Sequence, residues 1–381
     1  MTGSAIKAYF DNSATTRPLD EVIAHMSWVS HEIFGNPSSL HSLGMEAEKL
    51  LIKSRKAAAR ALEADPGCIC FTSGGTEANH IALQGYLAAN RRKGRKVLFS
   101  SVEHPSVLNQ AGMLGALGYQ VEFIRSGIDG KILTDHLDAL LDSDTALVSV
   151  MSVNNETGAI QPLDEIADCC RRKNTQTVLH VDAVQSFGKI PVKPQQQGIQ
   201  LLTASGHKIH GPKGSGLLYI AEGIHVSPLM AGGGQESGIR PGTENVPALS
   251  GMGMAIEKAM EGIRLAYRHV DGLHRRIRDE VSCIPGCIII SPEDASPYIL
   301  SISFPALKAE VILHKLESRG IFVSTGSACH SRRKNRSHVL QAMGLKPAVI
   351  DGTIRISLSY MNTLEEAAEL VSALKTICGG K

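Results

Sequence analysis

Residues 205–216 read Ser205-Gly-His-Lys208-Ile-His-Gly211-Pro-Lys-Gly214-Ser-Gly216 and follow an apolar run at 199–204. A short apolar run bounded by polar residues and glycines predicts a buried strand. Lys208 then lies just past the strand end among small residues, where a compact pocket would lower the pKa of its amine and let it attack a carbonyl. A lone lysine in a turn rich in glycine and proline is usually a surface residue, so this interpretation depends on the rest of the chain.

A second predicted strand, residues 177–182, ends in Asp182, and Gln185 follows three residues later. Parallel strands bring their carboxyl ends to one edge of a sheet, so Asp182 and Lys208 are expected to be neighbours. Pyridoxal phosphate requires this pair, because a lysine forms the Schiff base and a carboxylate pairs with the pyridinium nitrogen. The two residues therefore indicate a pyridoxal phosphate site.

The length and composition of the chain limit the classes of protein to which it can belong. The chain has 381 residues, enough for two or three domains, with 43% hydrophobic and 20% charged residues, as in soluble globular proteins. The net charge of +2 favours neither a nucleic acid nor a membrane surface as partner. The first residues lack a signal-peptide pattern, and no apolar run approaches the ~18 residues of a membrane span. We therefore expect a cytoplasmic protein.

The eight cysteines do not form a paired Cys-x-x-Cys array, and they are too few for a disulfide scaffold of this length. We therefore expect no bound metal. Cys169 and Cys170 fall on a predicted helix as small core residues.

Predicted strands and helices alternate between residues 68 and 182, which indicates an α/β fold with a mainly parallel sheet in a large domain. A helix over 43–63 is expected to have Ser42 as its N-cap. One long helix covers 246–281, and three short strands with two or three helices are expected after it, as in a smaller α+β domain. We divide the chain into an N-terminal arm (1–15) that folds back onto the small domain, a large domain (16–260) and a small C-terminal domain (261–381).

Candidate residues gather where predicted strands end. The loop Thr72-Ser-Gly-Gly-Thr76-Glu-Ala-Asn79 leads from a strand into a helix, an arrangement that suits an anion. It lacks the Gly-Lys-Ser/Thr ending of a nucleotide-binding loop, which argues against an NTPase. Five candidates lie at such strand ends: Thr76, His104, Asn155, Asp182 and Lys208.

Several motifs in fixed order resemble the class V aminotransferase-like enzymes of fold-type I, and among them the NifS/IscS-type cysteine desulfurases. The resemblance runs nearly end to end. It is carried by Asp11-Asn-Ser-Ala-Thr-Thr16, Phe34-Gly-Asn-Pro-Ser-Ser39, residues 72–79, Glu103-His104, Asn154-Asn155-Glu-Thr-Gly158, Asp182-Ala-Val-Gln185, residues 205–214, Gly232-Gly-Gly-Gln-Glu236 with Gly242-Thr243, and Gly326-Ser-Ala-Cys329.

The resemblance implies a seven-stranded type of sheet in the large domain, a pyridoxal phosphate cofactor and a role for each matching residue. Lys208 would carry the cofactor and move protons, Asp182 would pair with the ring nitrogen, and His104 would stack on the ring and act in acid–base steps. Substrate would contact Asn155 and, through its carboxylate, Arg355, where a guanidinium gives two hydrogen bonds. Other cofactor contacts would come from Gln185 at the phenolic oxygen, Asn155 near that edge, and Gly75, Thr76, Ser205, His207 and Thr243 at the phosphate.

Cys329 distinguishes between the chemistries that this scaffold can support. It lies within a loop of about residues 324–340, among small residues, and a basic run from His330 to Arg336 follows it. Positive surroundings and exposure favour a thiolate. The resemblance implies that Cys329 takes the sulfur of L-cysteine as a persulfide, releases L-alanine and passes the sulfur to an iron–sulfur scaffold, a tRNA thiolation enzyme or another acceptor. It also implies a homodimer, because the residue matching Thr243 reaches the neighbouring subunit's phosphate.

Two segments depart from the family pattern. The loop 331–338 is more basic than in many relatives, and Ser359-Tyr360-Met361 stands where many have Gly-Arg-Phe. Both differences concern the identity of the sulfur acceptor rather than the pyridoxal phosphate chemistry. Alternatives are a selenocysteine lyase on the same scaffold, another class V aminotransferase or lyase that would not need Cys329, and a non-catalytic sulfur-carrier platform, which the intact set of Lys208, Asp182 and His104 disfavours.

Overall fold

A computed structural model describes residues 6–173, 176–325 and 336–379. Its strands alternate with helices up to residue 220, and short strands predominate after residue 287. In chain order they are β1 (Ala8–Tyr9), β2 (Ile69–Thr72), β3 (Lys96–Ser100), β4 (Gln120–Ile124), β5 (Thr145–Met151), β6 (Val178–Asp182), β7 (Leu201–Ser205), β8 (Gly216–Ile220), β9 (Ile288–Ile289), β10 (Ile299–Ser303), β11 (Ile321–Phe322), β12 (Ser324–Thr325) and β13 (Thr353–Ser357).

The helices range from single turns to one helix of 37 residues. A π-helical segment, Ile81–Gly85, joins the third and fourth of them into one continuous rod. They are α1 (Asp20–Glu32), α2 (Ser42–Leu62), α3 (Gly75–His80), α4 (Tyr86–Ala89), α5 (Pro105–Leu108), α6 (Gln110–Ala116), α7 (Thr134–Leu140), α8 (Leu163–Lys173), α9 (Val246–Ser282), α10 (Ala309–Glu317), α11 (His338–Ala342), α12 (Pro347–Asp351) and α13 (Leu364–Cys378).

The large sheet has seven strands in the order β2-β8-β7-β6-β5-β3-β4. Strands β3 to β7 pair in parallel, whereas β8 runs antiparallel to both of its neighbours. Successive side chains of a strand face opposite sides, so Leu98 packs into one core while Val97 and Phe99 pack into another. A sheet covered on both faces confirms the predicted α/β fold class. Sequence analysis missed β8, which follows a ten-residue loop after β7.

The C-terminal part forms a second sheet, ordered β12-β13-β10-β9, in which every pair is antiparallel. The N-terminal strand β1 pairs in parallel with β11 of this part. More strands occur here than the three predicted, and four helices, α10 to α13, follow α9. A strand of two residues is too short to show the alternation of polar and apolar residues from which strands are predicted.

Helix α9 belongs to two hydrophobic cores. Its first part, including Met252 and Ile256, packs with the large sheet, whereas Val270 and Ile277 pack with the second sheet. The helix is continuous across residue 260, so the division of the chain at that point stays a prediction. Within the described residues, no helix is long and apolar enough to cross a membrane.

The start of α2 differs from the prediction in one residue. His41, not Ser42, is the N-cap, and its Nδ1 atom accepts a hydrogen bond from the backbone N–H of Gly44 at 3.3 Å. Ser42 is already helical. The imidazole nitrogen satisfies a free N–H of the first turn in the way that a hydroxyl usually does.

We predict that two glycines of α9 respond oppositely to alanine. A Cβ at Gly253 would lie 2.5 Å from Ser54 Oγ and 2.8 Å from Ser54 Cα of α2, whereas a Cβ at Gly272 meets nothing within 4 Å. Gly253→Ala should therefore lower the free energy of unfolding by about 1–3 kcal/mol through overpacking. Gly272→Ala should raise it by about 0.5–1 kcal/mol, because alanine restricts the unfolded chain. Denaturant titration of the cofactor-loaded protein measures both, and equal responses would contradict the close α2–α9 contact.

Candidate active site

The carboxyl ends of β3, β5, β6 and β7 surround a cavity of about 290 Å³. Parallel strands of an open sheet bring their ligands to this edge. Nearly all predicted site residues line the cavity: Gly75, Thr76, His104, Asn155, Asp182, Gln185, Ser205, His207, Lys208 and Arg355. Thr243 is exposed and does not line it. Cys329 lies outside the described residues.

Lys208 ends the single helical turn Gly206–Lys208 that follows β7, and its side chain is buried. A Cβ at Gly206 would lie 2.4 Å from Ser215 Oγ, so the turn packs closely against the segment leading into β8. The Nζ atom donates hydrogen bonds to the backbone carbonyls of Ser13 and Ala14, the latter at 2.8 Å. The amine therefore points into the cavity in a defined direction.

Asp182 is the last residue of β6, and each of its carboxylate oxygens accepts a hydrogen bond. Asn79 Nδ2 donates to Oδ2 at 2.9 Å, and the backbone N–H of Val184 donates to Oδ1 at 3.0 Å. Asn79 also donates to Ser106 Oγ at 2.8 Å. The two donors fix the direction of the carboxyl group.

His104 is the N-cap of α5, with extended backbone angles and Pro105 in the first turn. Its Nδ1 atom accepts a hydrogen bond from the backbone N–H of Ser106 at 3.1 Å. A ring nitrogen that accepts carries no proton, so the neutral ring has its proton on Nε2. The imidazole is thus oriented at the cavity wall by the chain that caps the helix.

Glycines shape the anion loop before α3. Gly74 has φ of 155°, and a Cβ at Gly75 would lie 2.8 Å from Val184 Cγ2. The backbone N–H groups at the start of α3 lie at the cavity edge beside Ser205 and His207. Burial, with the nearby charge of Lys208, lowers the pKa of His207 to about 4, so the ring is neutral.

Arg355 lies in β13, an inner strand of the second sheet, and is buried. Its Nη2 pairs with Asp11 Oδ1 at 2.9 Å, and its Nη1 donates to the backbone carbonyl of Asn155 at 2.8 Å. Its Nε atom is buried without a hydrogen-bond partner within the described ranges. The guanidinium is therefore held by two residues and still has unused N–H groups.

Gln185 is fixed by the N-terminal segment as well. Its Nε2 atom donates to the carbonyl of Ser13 at 3.0 Å. Its Oε1 atom is buried and makes no hydrogen bond to any residue that the structure describes. Such an atom needs a polar partner, because an unsatisfied buried acceptor costs about 1–3 kcal/mol.

Sequence analysis missed two buried carboxyl groups here. Burial and the negative charge of Asp182 raise the pKa of Glu103 well above its usual range. Glu103 Oε1 accepts from the backbone N–H of Met151 at 2.6 Å. Burial raises the pKa of Glu156 to about 7, and its Oε2 accepts from Ser337 Oγ at 2.5 Å. Both residues belong to quoted motifs, but no role was predicted for them, and their partners lie 48 and 181 residues away.

His338 is a further cavity residue without a predicted role. Its Nε2 donates to the backbone carbonyl of Glu103 at 2.8 Å, and the ring lines the cavity. It follows Ser337 directly. The segment 337–338 is therefore attached to the cavity wall at two points, through Glu156 and through Glu103.

The comparisons with known proteins agree with this geometry. A family model described as aminotransferase class-V matches residues 8–370. The cysteine desulfurase IscS of Methanosarcina thermophila is 39% identical over 370 residues, which cover 97% of this chain and 91% of that relative.

Two solved structures extend the likeness to three dimensions. One described as a NifS-like protein matches with a TM-score of 0.92 and 37% identity, over 97% of this chain and 98% of the other. One described as SspA in complex with cysteine matches with a TM-score of 0.83 and 30% identity, over 94% of this chain and 100% of the other. The chain therefore belongs to the class V aminotransferase family and, within it, to the NifS/IscS-type cysteine desulfurases.

Proposed function

We propose that this chain is a pyridoxal phosphate-dependent cysteine desulfurase, a cytoplasmic homodimer that converts L-cysteine to L-alanine. The Cβ–S bond of cysteine breaks, an S–S bond forms at Cys329, and Cβ takes up a proton. Cysteine and a thiol thus become alanine and a persulfide, which passes its sulfur to an acceptor protein such as an iron–sulfur scaffold or a tRNA thiolation enzyme. The observation that carries the proposal is the convergence of Lys208, Asp182, His104 and Arg355 on one cavity.

The residues of the cavity fit pyridoxal phosphate. Gln185 lines the cavity, and its Nε2 atom, which gives one N–H to the carbonyl of Ser13, has a second N–H that would donate to the phenolic oxygen. The tight Gly75 position allows a phosphate to approach the backbone at the start of α3, since a Cβ there would clash with Val184. Lys208 would hold the aldehyde carbon and Asp182 the pyridine nitrogen, with Gly75, Thr76, Ser205 and His207 around the phosphate.

When bound, pyridoxal phosphate supplies an electron sink for bonds at the substrate's α-carbon. Asp182 would pair with the pyridine nitrogen, because two donors fix the direction of its carboxyl group. Lys208 Nζ is the proton carrier, since the carbonyls of Ser13 and Ala14 orient it toward the cavity. The hydrogen bond at Nδ1 orients the His104 ring and leaves its Nε2 atom for acid–base steps.

Arg355 and Asn155 would bind the substrate carboxylate. Arg355 lines the cavity, where its remaining N–H groups would donate to a carboxylate, while Asp11 and the Asn155 carbonyl fix the guanidinium plane. A planar guanidinium recognises a planar carboxylate with directional hydrogen bonds.

Two flanking residues support Cys329 as the sulfur acceptor on the enzyme. Ser324 pairs with Arg355 across β12 and β13, and Ser337 donates to Glu156 at the cavity. Both flanks of the segment that carries Cys329 are therefore attached close to the substrate site. Cys329 is four Cα–Cα steps beyond Thr325, a reach of at most about 14 Å. Arg332, Arg333, Lys334 and Arg336 would favour the thiolate and an acidic acceptor.

The homodimer is supported by exposed apolar side chains near the N-terminus of α2. Leu40 is 96% and Phe34 70% exposed, and Trp28 of α1 is also exposed. Apolar surface of this kind is typical of a subunit interface. Thr243 lies on the glycine-rich loop, outside its own chain's cavity, so it would serve the partner's phosphate.

We predict that Cys329→Ser separates cofactor binding from sulfur transfer. The variant should keep the yellow colour of the holoenzyme and bind cysteine, but alanine formation should fall by about a thousandfold or more, because the nucleophile is lost. Mass spectrometry should show no added sulfur atom on the chain. Cys283→Ser is the matched control, since Cys283 is exposed at the end of α9 and should be dispensable.

Lys208→Ala tests, in the same experiment, the lysine that would hold the cofactor. It should abolish turnover, and borohydride should no longer fix the cofactor to the chain. Alanine formation at the wild-type rate in Cys329→Ser would return the enzyme to the plain aminotransferase or lyase class. Preference for selenocysteine with Cys329 dispensable would favour the selenocysteine lyase alternative.

We predict that Thr243 acts in trans. Thr243→Ala alone should weaken pyridoxal phosphate binding by about tenfold or more, since a hydrogen bond to a charged group is lost. Mixed dimers of Thr243→Ala chains with Lys208→Ala chains should regain activity, because one of their two sites then has both residues. Subunit exchange followed by an alanine assay measures this. Lack of any recovery, or full activity in a monomer, would show that Thr243 does not serve the partner's site.

We predict that the Glu156 carboxyl makes stability depend on pH. Its pKa rises from about 4.5 unfolded to about 7 folded, so the folded chain binds more protons between these values. The free energy of unfolding should therefore fall as pH rises from 4.5 to 7, by about 3 kcal/mol for this group, and change no further above 7.

Glu156→Gln removes that dependence and keeps an acceptor for Ser337. The variant should match the wild type below pH 4.5 and exceed its stability above pH 7. The exposed Glu310→Gln is the control and should give a difference that does not vary with pH. A constant difference for Glu156→Gln as well would mean that Glu156 is already ionised in the folded protein.

A further inference from the structure

A second cavity of about 490 Å³, larger than the active-site cavity, lies on the other side of Lys208. Lys208 lines both. The second cavity is bounded by the middle of α9, by the segment after β6 that contains Lys189, by His210, and by Tyr298 and Tyr360 of the C-terminal part. Its volume is in the range of small-molecule sites.

Lys189 is a buried cation without an anionic partner. Its side chain lines the second cavity, and the residue is only 7% exposed. Across the described part of the chain its ammonium makes no hydrogen bond or ion pair, and its contact is with the face of the Tyr298 ring, at 5.5 Å from the centroid. Burial, with the charge of Lys208, lowers the pKa of Lys189 to about 7. A buried ammonium without a counter-charge is costly, so an anion in the cavity would stabilise it.

Tyr298 supplies a second polar group at the same place. The residue is 4% exposed and lines the second cavity, and its hydroxyl has no hydrogen-bond partner among the described residues. Buried tyrosine hydroxyls usually have one. An ammonium and a phenol at one cavity wall form a pair of donors that suits one carboxylate.

The remaining walls are mostly apolar, formed by Leu19, Ile209, Ala259 and Ala266. The other charged pair at the cavity is already neutralised, because Lys258 bonds to Glu21 at 3.2 Å. The apolar walls do not suit a phosphate dianion or another strongly hydrated ion. The chemistry matches a molecule with a single carboxylate and an apolar body.

We propose that the second cavity binds a small amphipathic carboxylate, with its carboxylate on Lys189 and Tyr298 and its apolar body along α9. The site is separate from the cavity that binds cofactor and substrate. Because Lys208 is a wall of both cavities, a bound carboxylate neutralises a positive charge that acts on the active-site lysine. The proposal does not depend on which sulfur acceptor the enzyme serves.

The test is calorimetric titration of the full-length holoenzyme with benzoate. Saturable binding is expected at about 10 mM or tighter, the weak limit for a ligand of this size. Benzamide, which has the same shape without the charge, and acetate and inorganic phosphate, which have charge without the body, should each bind at least about tenfold more weakly.

Variants locate the site. Lys189→Met should weaken benzoate binding by about tenfold or more, and Tyr298→Phe should weaken it less. Ala266→Phe should abolish it by filling the cavity, which keeps the test valid if Lys189→Met does not fold. Lys193→Met is the matched control, since Lys193 pairs with Glu63 at 2.8 Å outside the cavity. Arg355→Lys should leave the affinity unchanged, because benzoate would otherwise be occupying the substrate site.

The outcomes are distinct. Loss of binding in Lys189→Met and Ala266→Phe, with none in Lys193→Met and Arg355→Lys, supports the proposal. Absence of saturable benzoate binding, or unchanged binding in Ala266→Phe, overturns it. Equal affinity for acetate or phosphate overturns the class of ligand, and loss of binding in Arg355→Lys alone assigns benzoate to the substrate site.

Discussion

The N-terminal segment, residues 8–16, connects the two hydrophobic cores, and the site depends on its hydrogen bonds. Strand β1 pairs with β11 of the C-terminal part, and Asp11 forms an ion pair with Arg355. Two residues later the carbonyl of Ser13 accepts hydrogen bonds from Lys208 and Gln185, both of the large sheet. A buried carbonyl that satisfies two donors fixes both side chains. Lys208 and Arg355 are therefore positioned by one short stretch of chain that contacts both cores.

Because the site depends on contacts between distant parts of the chain, the sequence alone could predict only part of this structure. Residues at strand ends, such as Asp182 and Lys208, were predictable because local alternation identifies parallel strands and parallel strands share an edge. The role of Cys329 rested on resemblance alone and remains a proposal. Strand β8 was missed because it joins β2 and β7 only after the preceding loop has brought the chain back to the sheet. Arg355, without the family, would have been taken for a strand-edge charge, although β13 is a central strand.

Hydrogen bonds between residues far apart in sequence could not be predicted from local sequence patterns. Glu156 and Ser337 are 181 residues apart, and only the packing of the C-terminal part against the large sheet brings them together. Asn79 is an ordinary helix residue by sequence, yet it orients the carboxylate of Asp182. Sequence therefore identified residues that the family uses for chemistry, but not the residues that hold them in place. Those positioning contacts depend on tertiary structure, which no spacing rule encodes.

Two buried groups near the site have pKa values shifted toward the neutral form, by burial and by the nearby charge of Asp182 or Lys208. Burial and the charge of Asp182 raise the pKa of Glu103, so that carboxyl is protonated beside the carboxylate. Burial and the charge of Lys208 lower the pKa of Lys189, which therefore loses its proton more readily than an ordinary lysine. In a medium of low polarity a second like charge would cost more than a neutral group. Glu103 and Lys189 thus each favour the neutral form beside a residue of the candidate site, Asp182 in one case and Lys208 in the other.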